Sequence, residues 1–429
     1  MREMKDSGVA WIGQIPEHWE VVRIKNLFDL RNERNDEADL SKVNLISLYT
    51  DLGVVQHSDI VETTGNRAVT AEGYKFVHKN DIVVNIILCW MGAVGMSNYD
   101  GVTSPAYDIY APKKGTISEY YHYLFRTKAF NGECYRYGRG IMMMRWRTYS
   151  NEFRAISIPF PPADEQREII NYLNERSSQV DRLISNNEAQ IEKLKQYKQS
   201  LISEVVTKGL DPTVPMKDSG VEWIGEIPEH WGLNRIKYIC KFNPSNKCNM
   251  DSTLNVSYAP MECVKNGYML CKEITIDKIS SGLTYFEEED IVMAKVTPCF
   301  ENGNIAIAEN LKNGVGFGSS ELFVFRCLQV YNRWLMYFLR SSTFIERAKA
   351  TMTGTGGLKR VSPNFVNSLT LAIPPKTEQE QISTYLDTKC AQIDSLIAIK
   401  QAKIKKLNQY KKSLIYEYVT GKKEVNYNV

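Results

Sequence analysis

The chain has 429 residues, and at about 150 residues per domain this length predicts two to three domains. Hydrophobic residues make up 43% and charged residues 24%, a globular composition that excludes a disordered, collagen-like or disulfide-stapled chain. The net charge is only +3 at pH 7, so any nucleic-acid-binding role must come from local clusters of basic residues.

The amino-terminal residues are polar, and no apolar run reaches the roughly 18 to 20 residues that span a membrane. The longest near-apolar run, Ile82 to Met96, is interrupted by Asn85 and by two glycines. The 9 cysteines include no C-x-x-C pair. From these features we expect a soluble, cytoplasmic protein with reduced and mostly buried thiols.

An internal duplication is the most informative feature of the sequence. Residues 5–25 read KDSGVAWIGQIPEHWEVVRIK and residues 217–237 read KDSGVEWIGEIPEHWGLNRIK, with sixteen of 21 positions identical. A second duplicated stretch, residues 161–207 and 374–420, begins in both copies with P-P-x-x-E-Q. The offset of 212 residues is far longer than a solenoid period, so the chain consists of two half-proteins in tandem.

Two dissimilar segments, about residues 26–160 and 238–373, lie between the duplicated stretches. Short β-branched runs alternate with glycine turns in both segments, which predicts mixed α/β domains with one helix each, near residues 118–131 and 331–350. The predicted strands are residues 42–49, 82–88, 274–276, 291–296, 305–308 and 322–325. Faint matches between the segments, such as Asp-Ile-Val at Asp81 and at Asp290, indicate a shared fold.

The stretches after the two Pro-Pro pairs are predicted to be long helices. Residues 165–208 contain neither Gly nor Pro, and apolar residues recur at heptad spacing in both copies. At 1.5 Å per residue, 44 residues give a helix of about 66 Å, whose apolar stripe needs a partner of similar length. The heptad positions are Ile170, Leu173, Val180, Ile184, Ile191, Leu194 and Leu201, and in the second copy Leu386, Ile393, Ile397, Ile404, Leu407 and Leu414.

We expect these two helices to pair with each other in antiparallel orientation. The termini of a compact domain often lie close together, so the second helix begins near the end of the first and must run back along it. The alternative is that each helix packs on its own domain. Asn187 and Lys400, at corresponding positions near the helix midpoints, interrupt the same heptad series and are expected near the centre of the pair.

The predicted fold is therefore α/β mixed, with two globular domains joined by two long antiparallel coiled-coil helices in a pseudo-two-fold tandem repeat. Residues 1–162 hold the first repeated motif and the first domain, and residues 163–211 hold the central helix. Residues 212–375 hold the second motif and domain, and residues 376–429 hold the carboxy-terminal helix.

Sequence motifs of catalysis are absent from the chain. It contains no Asn-Pro-Pro-aromatic loop of base methyltransferases and no G-x-x-x-x-G-K-[ST] phosphate-binding loop. His18 and His230 are repeat-equivalent, but each lies in P-E-H-W without a second ligand nearby, which favours packing over metal binding. The spacing of Cys240, Cys248, Cys263 and Cys271 is unlike that of common zinc sites. We therefore expect no catalytic residue and no metal in this chain.

Basic residues cluster at matching places in the two halves. Residues 113–154 hold nine Lys/Arg against three Glu, interleaved with aromatic residues, and residues 326–360 hold seven Lys/Arg against one Glu. Arginine suits phosphate contacts and bidentate reading of guanine, and glycine lets a backbone approach the duplex closely. For the helical Arg126 and Arg340, a solvated helix face and a DNA contact both remain open. The residues predicted to bind DNA are Arg136, Arg139, Gly140, Arg145, Arg147, Tyr149, Lys295, Thr355, Gly356, Lys359 and Arg360.

Taken together, these motifs closely resemble those of the specificity subunit of type I restriction–modification enzymes. The resemblance rests on the repeated GVxWIGxIPEHW motif, residues 8–19 and 220–231, and on the P-P-x-x-E-Q-x-x-I starts of the long helices, residues 161–169 and 374–382. These motifs follow one another in the same order across essentially the whole chain. The two dissimilar segments are similar in position to the target recognition domains of that family.

The resemblance implies a non-catalytic DNA-reading subunit that serves phage defence. Each recognition domain would read one half of a bipartite, asymmetric DNA target. The helices would act as spacer and as docking site for two methyltransferase subunits, which carry S-adenosylmethionine, and motor–nuclease subunits that use ATP and Mg²⁺ would join them. The helix residues predicted for this role are Ile184, Ile191, Leu194, Tyr197, Ile397, Ile404, Leu407 and Tyr410.

An alternative function is a non-enzymatic scaffold with two domains that bind another ligand. The interleaved basic and aromatic residues of the two loops favour DNA over such a ligand.

Overall fold

A computed structural model describes residues 2–59, 70–140, 146–245, 251–355 and 357–425. The chain forms two compact units. The first unit is built from the chain up to Asn187 together with the chain from Ala402 onwards, and the second unit runs from Glu188 to Gln401. Each unit therefore contains one half of each long helix.

Both predicted long helices are present, and each of the two predicted shorter helices is divided into two. Thr127 and Ser341 cap the starts of the second helices, because their side chains accept hydrogen bonds from the N–H groups of Phe130 and Phe344. Within the described residues, no helix is both long and apolar enough to cross a membrane. The helices are α1 Ile24–Leu27, α2 Ser118–Phe125, α3 Lys128–Tyr137, α4 Ser150–Ala155, α5 Ala163–Lys208, α6 Ile236–Ile239, α7 Asn332–Arg340, α8 Ser342–Ala350, α9 Pro363–Ser368 and α10 Lys376–Val419.

The strands of the first unit are short and match the predicted segments at residues 42–49 and 82–88. Its strands are β1 Met4–Asp6, β2 Gln14–Pro16, β3 Glu20–Arg23, β4 Phe28–Arg31, β5 Ile46–Tyr49, β6 Gly53–Gln56, β7 Lys75–Val77, β8 Ile82–Asn85, β9 Val94–Met96, β10 Gly101–Thr103, β11 Tyr107–Pro112 and β12 Ser157–Phe160.

The second unit repeats most of these strands and adds a larger sheet. Its strands are β13 Met216–Asp218, β14 Glu226–Pro228, β15 Gly232–Arg235, β16 Cys240–Phe242, β17 Asn255–Ala259, β18 Lys272–Thr275, β19 Thr284–Glu287, β20 Ile291–Ala294, β21 Ile305–Ile307, β22 Val315–Gly318, β23 Leu322–Cys327 and β24 Thr370–Ile373.

The central sheets of the two units correspond strand for strand. The first has the order β4-β11-β8-β9 and the second the order β16-β23-β20-β21, all antiparallel. The pairs β1–β2 and β3–β12 likewise correspond to β13–β14 and β15–β24. The inserts differ, since the first unit has two-stranded sheets where the second has β18-β17-β22-β19 with a parallel β17–β22 pair. The expectation of a shared fold in the dissimilar segments is thus confirmed for the central sheet.

Within each unit, α5 and α10 run antiparallel, as predicted. In the first unit the Tyr172 and Tyr418 rings lie 4.6 Å apart between centroids, and Lys411 Nζ lies 2.6 Å from Asp181. In the second unit Lys198 Nζ lies 2.7 Å from Asp394, and Lys400 donates to Gln190. The Asp–Lys pair occurs at repeat-equivalent positions in both units, so each half of the helix pair is built from the same contacts.

The heptad residues confirm the predicted stripe. The heptad residues near the helix ends, such as Leu173 and Leu386, are fully buried, whereas Ile184 and Ile404 near the midpoints are only half-buried. The buried Asn187 amide donates to the Leu183 carbonyl oxygen one turn earlier at 2.6 Å, so its polar group is satisfied within its own helix.

The two duplicated motifs meet at the start of each long helix, and we call this meeting the helix-start contact. Glu165, near the start of α5, accepts a hydrogen bond from the buried Trp19 indole at 3.0 Å and pairs with His18 and Arg2. The side-chain amide of the next residue, Gln166, donates to the Pro161 carbonyl at 2.9 Å.

The second unit has the same helix-start contact. Glu378 accepts from the buried Trp231 indole at 3.1 Å and lies 2.8 Å from His230 Nε2, and Gln379 donates to the Pro374 carbonyl at 2.8 Å. The P-E-H-W and P-P-x-x-E-Q motifs are therefore duplicated together because they form one contact.

Each helix-start contact also receives the end of the other long helix. Gly209 and Gly421 lie just past α5 and α10 and have positive φ angles of 82° and 70°. This left-handed backbone conformation is common for the glycine that follows an α-helix. A Cβ atom on Gly421 would lie 2.8 Å from the Trp19 ring, and one on Gly209 would lie 3.4 Å from the Trp231 ring. Lys422 donates to the Ile12 carbonyl at 2.7 Å, so the end of α10 lies against the first motif.

The compact units do not coincide with the segments predicted from sequence. The predicted segments 1–162, 163–211, 212–375 and 376–429 treat each long helix as a whole, whereas each unit takes half of both helices. The sequence-based boundaries describe a different division of the chain and stay a prediction.

Substituting Glu165 tests the helix-start contact through its pH dependence. Burial disfavours the ionised carboxylate, but hydrogen bonds from His18, Trp19 and Arg2 outweigh this effect and lower the pKa of Glu165 below its ordinary 4.5. Because the folded pKa is the lower one, this stabilisation is complete above the ordinary pKa and disappears as the pH falls through the folded pKa. Glu165→Gln should reduce the free energy of unfolding by about 1–3 kcal/mol at neutral pH, and by much less below about pH 4.

Urea unfolding at a series of pH values measures this difference. The matched control is Glu168→Gln, which removes an exposed carboxylate one turn later on the same helix. A loss of stability that does not change with pH would contradict the role assigned to the Glu165 charge.

Candidate nucleic-acid interface

Both predicted Gly/Arg loops are built on small hairpins at corresponding places in the two units. In the first hairpin, described at residues 138–140 and 146–149, the backbones of Arg139 and Arg147 exchange hydrogen bonds of 2.9 and 3.0 Å. In the second hairpin, described at residues 353–355 and 357–361, the backbones of Arg360 and Thr353 exchange hydrogen bonds of 2.8 and 3.1 Å. Each hairpin lies between two short helices, α3 and α4 or α8 and α9.

The central sheets anchor both hairpins through the same backbone contact. Thr148 N–H donates to the Ile86 carbonyl at 2.9 Å, and Val361 N–H donates to the Lys295 carbonyl at 2.9 Å. Ile86 and Lys295 directly follow the corresponding strands β8 and β20. The two hairpins are therefore attached at the same end of equivalent strands, although their sequences have little in common.

An aromatic stack supports the first hairpin. The Trp146 ring lies 4.9 Å from the Tyr135 ring with 21° between their planes, and its indole donates to the Tyr135 carbonyl at 3.0 Å. Gly138 makes room for this arrangement, because a Cβ atom there would lie 2.3 Å from Trp146 Nε1. The Thr148 hydroxyl adds a hydrogen bond of 2.8 Å to the Cys134 carbonyl, so the hairpin is fixed to α3.

Carboxylates hold the predicted arginines at the surface. Arg136 pairs with Glu133 at 2.7 Å and lies over the Tyr137 ring, and Arg139 lies 3.0 Å from Glu152. The side chains of Arg136 and Arg139 remain 64% and 76% exposed. Glu133 is itself buried, whereas Arg139 has the more exposed pair, so the Arg139 guanidinium can exchange its carboxylate for another anion at small cost.

The other predicted residues of the hairpins differ in exposure. Gly140, Arg147, Thr355 and Lys359 are exposed, and Tyr149 is 44% exposed. Lys295 is half-buried, since its ammonium group donates to the Ser320 carbonyl at 2.7 Å and lies 5.2 Å from the centre of the Phe323 ring. Arg145 and Gly356 lie outside the described residues.

The helical arginines have a structural role that neither open interpretation included. Arg126 donates to the carbonyl oxygens of Val94 at 3.2 Å and Asp51 at 2.7 Å. The buried Arg340, its repeat-equivalent, bonds to Asn266. Burial lowers the pKa of both guanidinium groups. The sequence signal for this role is that both arginines end the equivalent helices of the two halves, α2 and α7.

The carboxylates around the hairpins were missed from the sequence. Glu133, Glu152 and Glu321 each bind one of the predicted arginines, but counting Lys and Arg gave them no weight. Glu321 lies 39 residues before its partner Arg360, so spacing along the chain gives no signal for this pair. Within the described residues, no group of three potential metal-ligating side chains comes together.

The predicted helix residues divide into a packed and an exposed set. Ile191 is buried, whereas Ile184, Leu194, Ile397, Ile404 and Leu407 are half-buried and form the seam between α5 and α10. Tyr197 and Tyr410, which are repeat-equivalent, are 57% and 52% exposed. Sequence reasoning missed further exposed apolar residues, of which Leu183 and Leu396 are also repeat-equivalent.

Comparisons with known proteins connect these features to one family. The family model described as "Type I restriction modification DNA specificity domain" matches residues 16–196. The "Type I restriction enzyme MjaVIII specificity subunit" of Methanocaldococcus jannaschii is 25% identical over 95% of this chain and 94% of its own length. These findings support the chain as a specificity subunit of a type I restriction–modification system.

Other specificity subunits are more similar over a shorter stretch. The EcoAI and EcoEI specificity subunits of Escherichia coli are both 33% identical to this chain, over 177 and 162 residues. These matches span only 30% and 27% of the length of the two Escherichia coli proteins.

Solved structures of specificity subunits share the fold. A chain from a study of "complex assembly" and "conformational transition of the type I R-M system" aligns over 94% of this subunit and 98% of its own length, with a TM-score of 0.68 and 14% identity. The HsdS subunit of Thermoanaerobacter tengcongensis aligns over 95% and 98%, with a TM-score of 0.53 and 13% identity. At this identity the likeness concerns the fold alone.

Two glycines of α3 and the first hairpin give a matched test of hairpin packing. Gly138→Ala places a methyl group against the Trp146 indole and should destabilise the subunit by about 1–3 kcal/mol. Gly132→Ala, within α3, meets no atom within 4 Å and should stabilise it by about 0.5–1 kcal/mol. Thermal unfolding and tryptophan fluorescence report the two effects. Equal effects of both substitutions would contradict the packing described for Trp146.

Proposed function

We propose that this specificity subunit binds double-stranded DNA and reads one half of a bipartite, asymmetric target with each unit. The observation that carries this proposal is the pair of arginine-bearing hairpins, which are attached at the same end of equivalent strands in the two units. Phosphate contacts supply affinity and base contacts supply selectivity, and exposed arginines on a fixed backbone can make both. Different hairpin sequences on one frame suit two different half-sites.

The division of labour with partner subunits is part of the proposal. Two methyltransferase subunits would bind the helices and bring S-adenosylmethionine, and motor–nuclease subunits would bring ATP and Mg²⁺. The exposed Tyr197 and Tyr410, with Leu183 and Leu396, offer apolar area at repeat-equivalent positions, which suits two copies of one partner.

In this proposal the subunit itself is not an enzyme and acts in the cytoplasm, within a phage-defence system. His18 and His230, which catalysis could have used, pair with Glu165 and Glu378 in the helix-start contacts. Reading and positioning are then the whole contribution of this chain, and the methylation of adenine takes place on the partner subunit.

Selection from a random duplex pool tests the proposal. The full chain, assembled with its methyltransferase subunit, should enrich a motif with two defined parts separated by an unspecified spacer. If Arg139 contacts a base pair, Arg139→Ala should weaken binding by about 1–3 kcal/mol and relax the sequence preference in one part of the motif. If Arg139 contacts a phosphate, the loss should be uniform across sequences with a shallower salt dependence.

The control variant is Lys79→Ala, which removes an equal charge from an exposed position before β8, at the opposite end of that strand from the hairpin. Lys79→Ala should leave both the motif and the affinity unchanged. Failure of the assembled wild type to enrich any sequence would contradict the proposed function.

A further inference from the structure

The guanidinium group of Arg360 has one edge held and one edge open. Its Nε and Nη2 atoms donate to the two carboxylate oxygens of Glu321 at 2.8 and 2.7 Å. Within the described residues, Nη1 of Arg360 has no hydrogen-bond partner, and the side chain is 48% exposed. The outer edge, formed by Nη1 and the second proton of Nη2, is therefore available to a ligand.

Two arginines of the central sheets have both guanidinium edges occupied. Arg326 uses Nε and Nη2 for Asp290, at 2.9 and 2.7 Å, and its Nη1 lies 2.9 Å from Glu287. Arg31 in the first unit likewise bonds to Asp81 through its inner edge and to Glu33 through Nη1. The open outer edge of Arg360 is thus a difference from these arginines, and it lies in a predicted DNA-binding hairpin.

The backbone around Arg360 is fixed on two sides. Besides the exchange with Thr353, the flanking residues bond to the stretch that follows β20, through Val361 N–H to Lys295 at 2.9 Å and Thr297 N–H to Lys359 at 3.0 Å. Val361 is buried. A fixed backbone and a clamped inner edge leave the guanidinium little freedom to lose on binding.

Glu321 is fixed and charged as well. Its N–H donates to the Ser319 hydroxyl oxygen at 3.2 Å, and its carbonyl accepts from Lys295 N–H at 3.0 Å, just before the buried Leu322 that begins β23. Hydrogen bonds from Arg360 lower the pKa of Glu321, so the carboxylate is ionised at neutral pH.

The outer edge of a clamped arginine fits a pair of adjacent acceptors. In DNA these are the N7 and O6 atoms of guanine in the major groove, or two oxygens of one phosphate. The negative charge of Glu321 distinguishes between these two ligands. A phosphate brought to Arg360 would also approach the Glu321 carboxylate, whereas a guanine edge is neutral. The near-neutral Arg360–Glu321 pair therefore favours directional bonding to a base over attraction to the backbone.

Resting on the proposed DNA-binding function, we propose that Arg360 reads a guanine in the half-site of the second unit. Glu321 acts as its positioning residue: it touches no base and holds the guanidinium plane so that Nη1 and Nη2 meet O6 and N7.

The test uses the assembled subunit and the motif enriched from the random pool. Each guanine of the motif is replaced in turn by 7-deazaguanine, which lacks the N7 acceptor. One substitution should weaken wild-type binding by roughly 5- to 150-fold, and in Arg360→Ala the same substitution should have no effect. Arg360→Lys, which keeps the charge but lacks the fork, should also lose most of this discrimination.

Glu321→Gln separates positioning from contact. Freed from its carboxylate, Arg360 should bind unrelated duplex more tightly and with a steeper salt dependence, while the preference for guanine over 7-deazaguanine falls several-fold. The matched control is Glu309→Gln, which breaks a similar ion pair, with Arg333, beyond the far end of β21. Glu309→Gln should change neither quantity, and thermal unfolding of each variant verifies its folding.

The outcomes distinguish this inference from the proposed function. If the wild type enriches a motif but Arg360→Ala retains its full guanine preference, the inference is wrong and the function stands. If 7-deazaguanine has no effect at any position while a neutral methylphosphonate linkage removes the Arg360 contribution, Arg360 binds phosphate, which also overturns the inference. If no motif is enriched, the proposed function fails and the inference fails with it.

Discussion

The hydrogen bond from a buried tryptophan to the glutamate at the start of each long helix links the duplicated parts of this protein. Trp19 with Glu165, and Trp231 with Glu378, join a repeated motif to a helix start, and the end of the other long helix packs beside them. A buried indole needs an acceptor and a half-buried carboxylate needs donors, so a change in one motif leaves a polar group of the other without its partner. This mutual dependence explains why the two motifs are the most similar parts of the two halves.

The segments between the duplicated motifs are free of this constraint, and they differ accordingly. The central sheets β4-β11-β8-β9 and β16-β23-β20-β21 correspond, while the remaining strands are arranged differently in the two units. The hairpins are anchored to the residues that follow β8 and β20, and they differ in their side chains. The two halves thus share a frame of central sheets and long helices and differ in the sequences of their hairpins.

Much of this architecture could be predicted because it follows from local sequence patterns. The heptad spacing and the duplicated motifs predicted the long helices, and the closeness of the termini of a compact domain predicted their antiparallel pairing. The chemistry of the hairpins was harder, since it depends on partners distant in sequence. Arg126 and Arg340 have structural roles because oxygen atoms of residues distant in sequence, Asp51 and Asn266, accept their hydrogen bonds. Glu321 likewise matters only because the fold brings it to Arg360. Pairings between distant loops and strands leave no periodic signal in the sequence.

We propose that the frame folds and assembles independently of the two segments that are proposed to read DNA. The most direct measurement is methylation-sensitive long-read sequencing of DNA from cells that carry a chimaera. In this chimaera, residues 26–160 are replaced by the corresponding segment of another specificity subunit. Our account predicts a methylated motif in which one half changes and the other half stays that of the wild type. A change in both halves of the motif, with the chimaera folded and assembled, would contradict it.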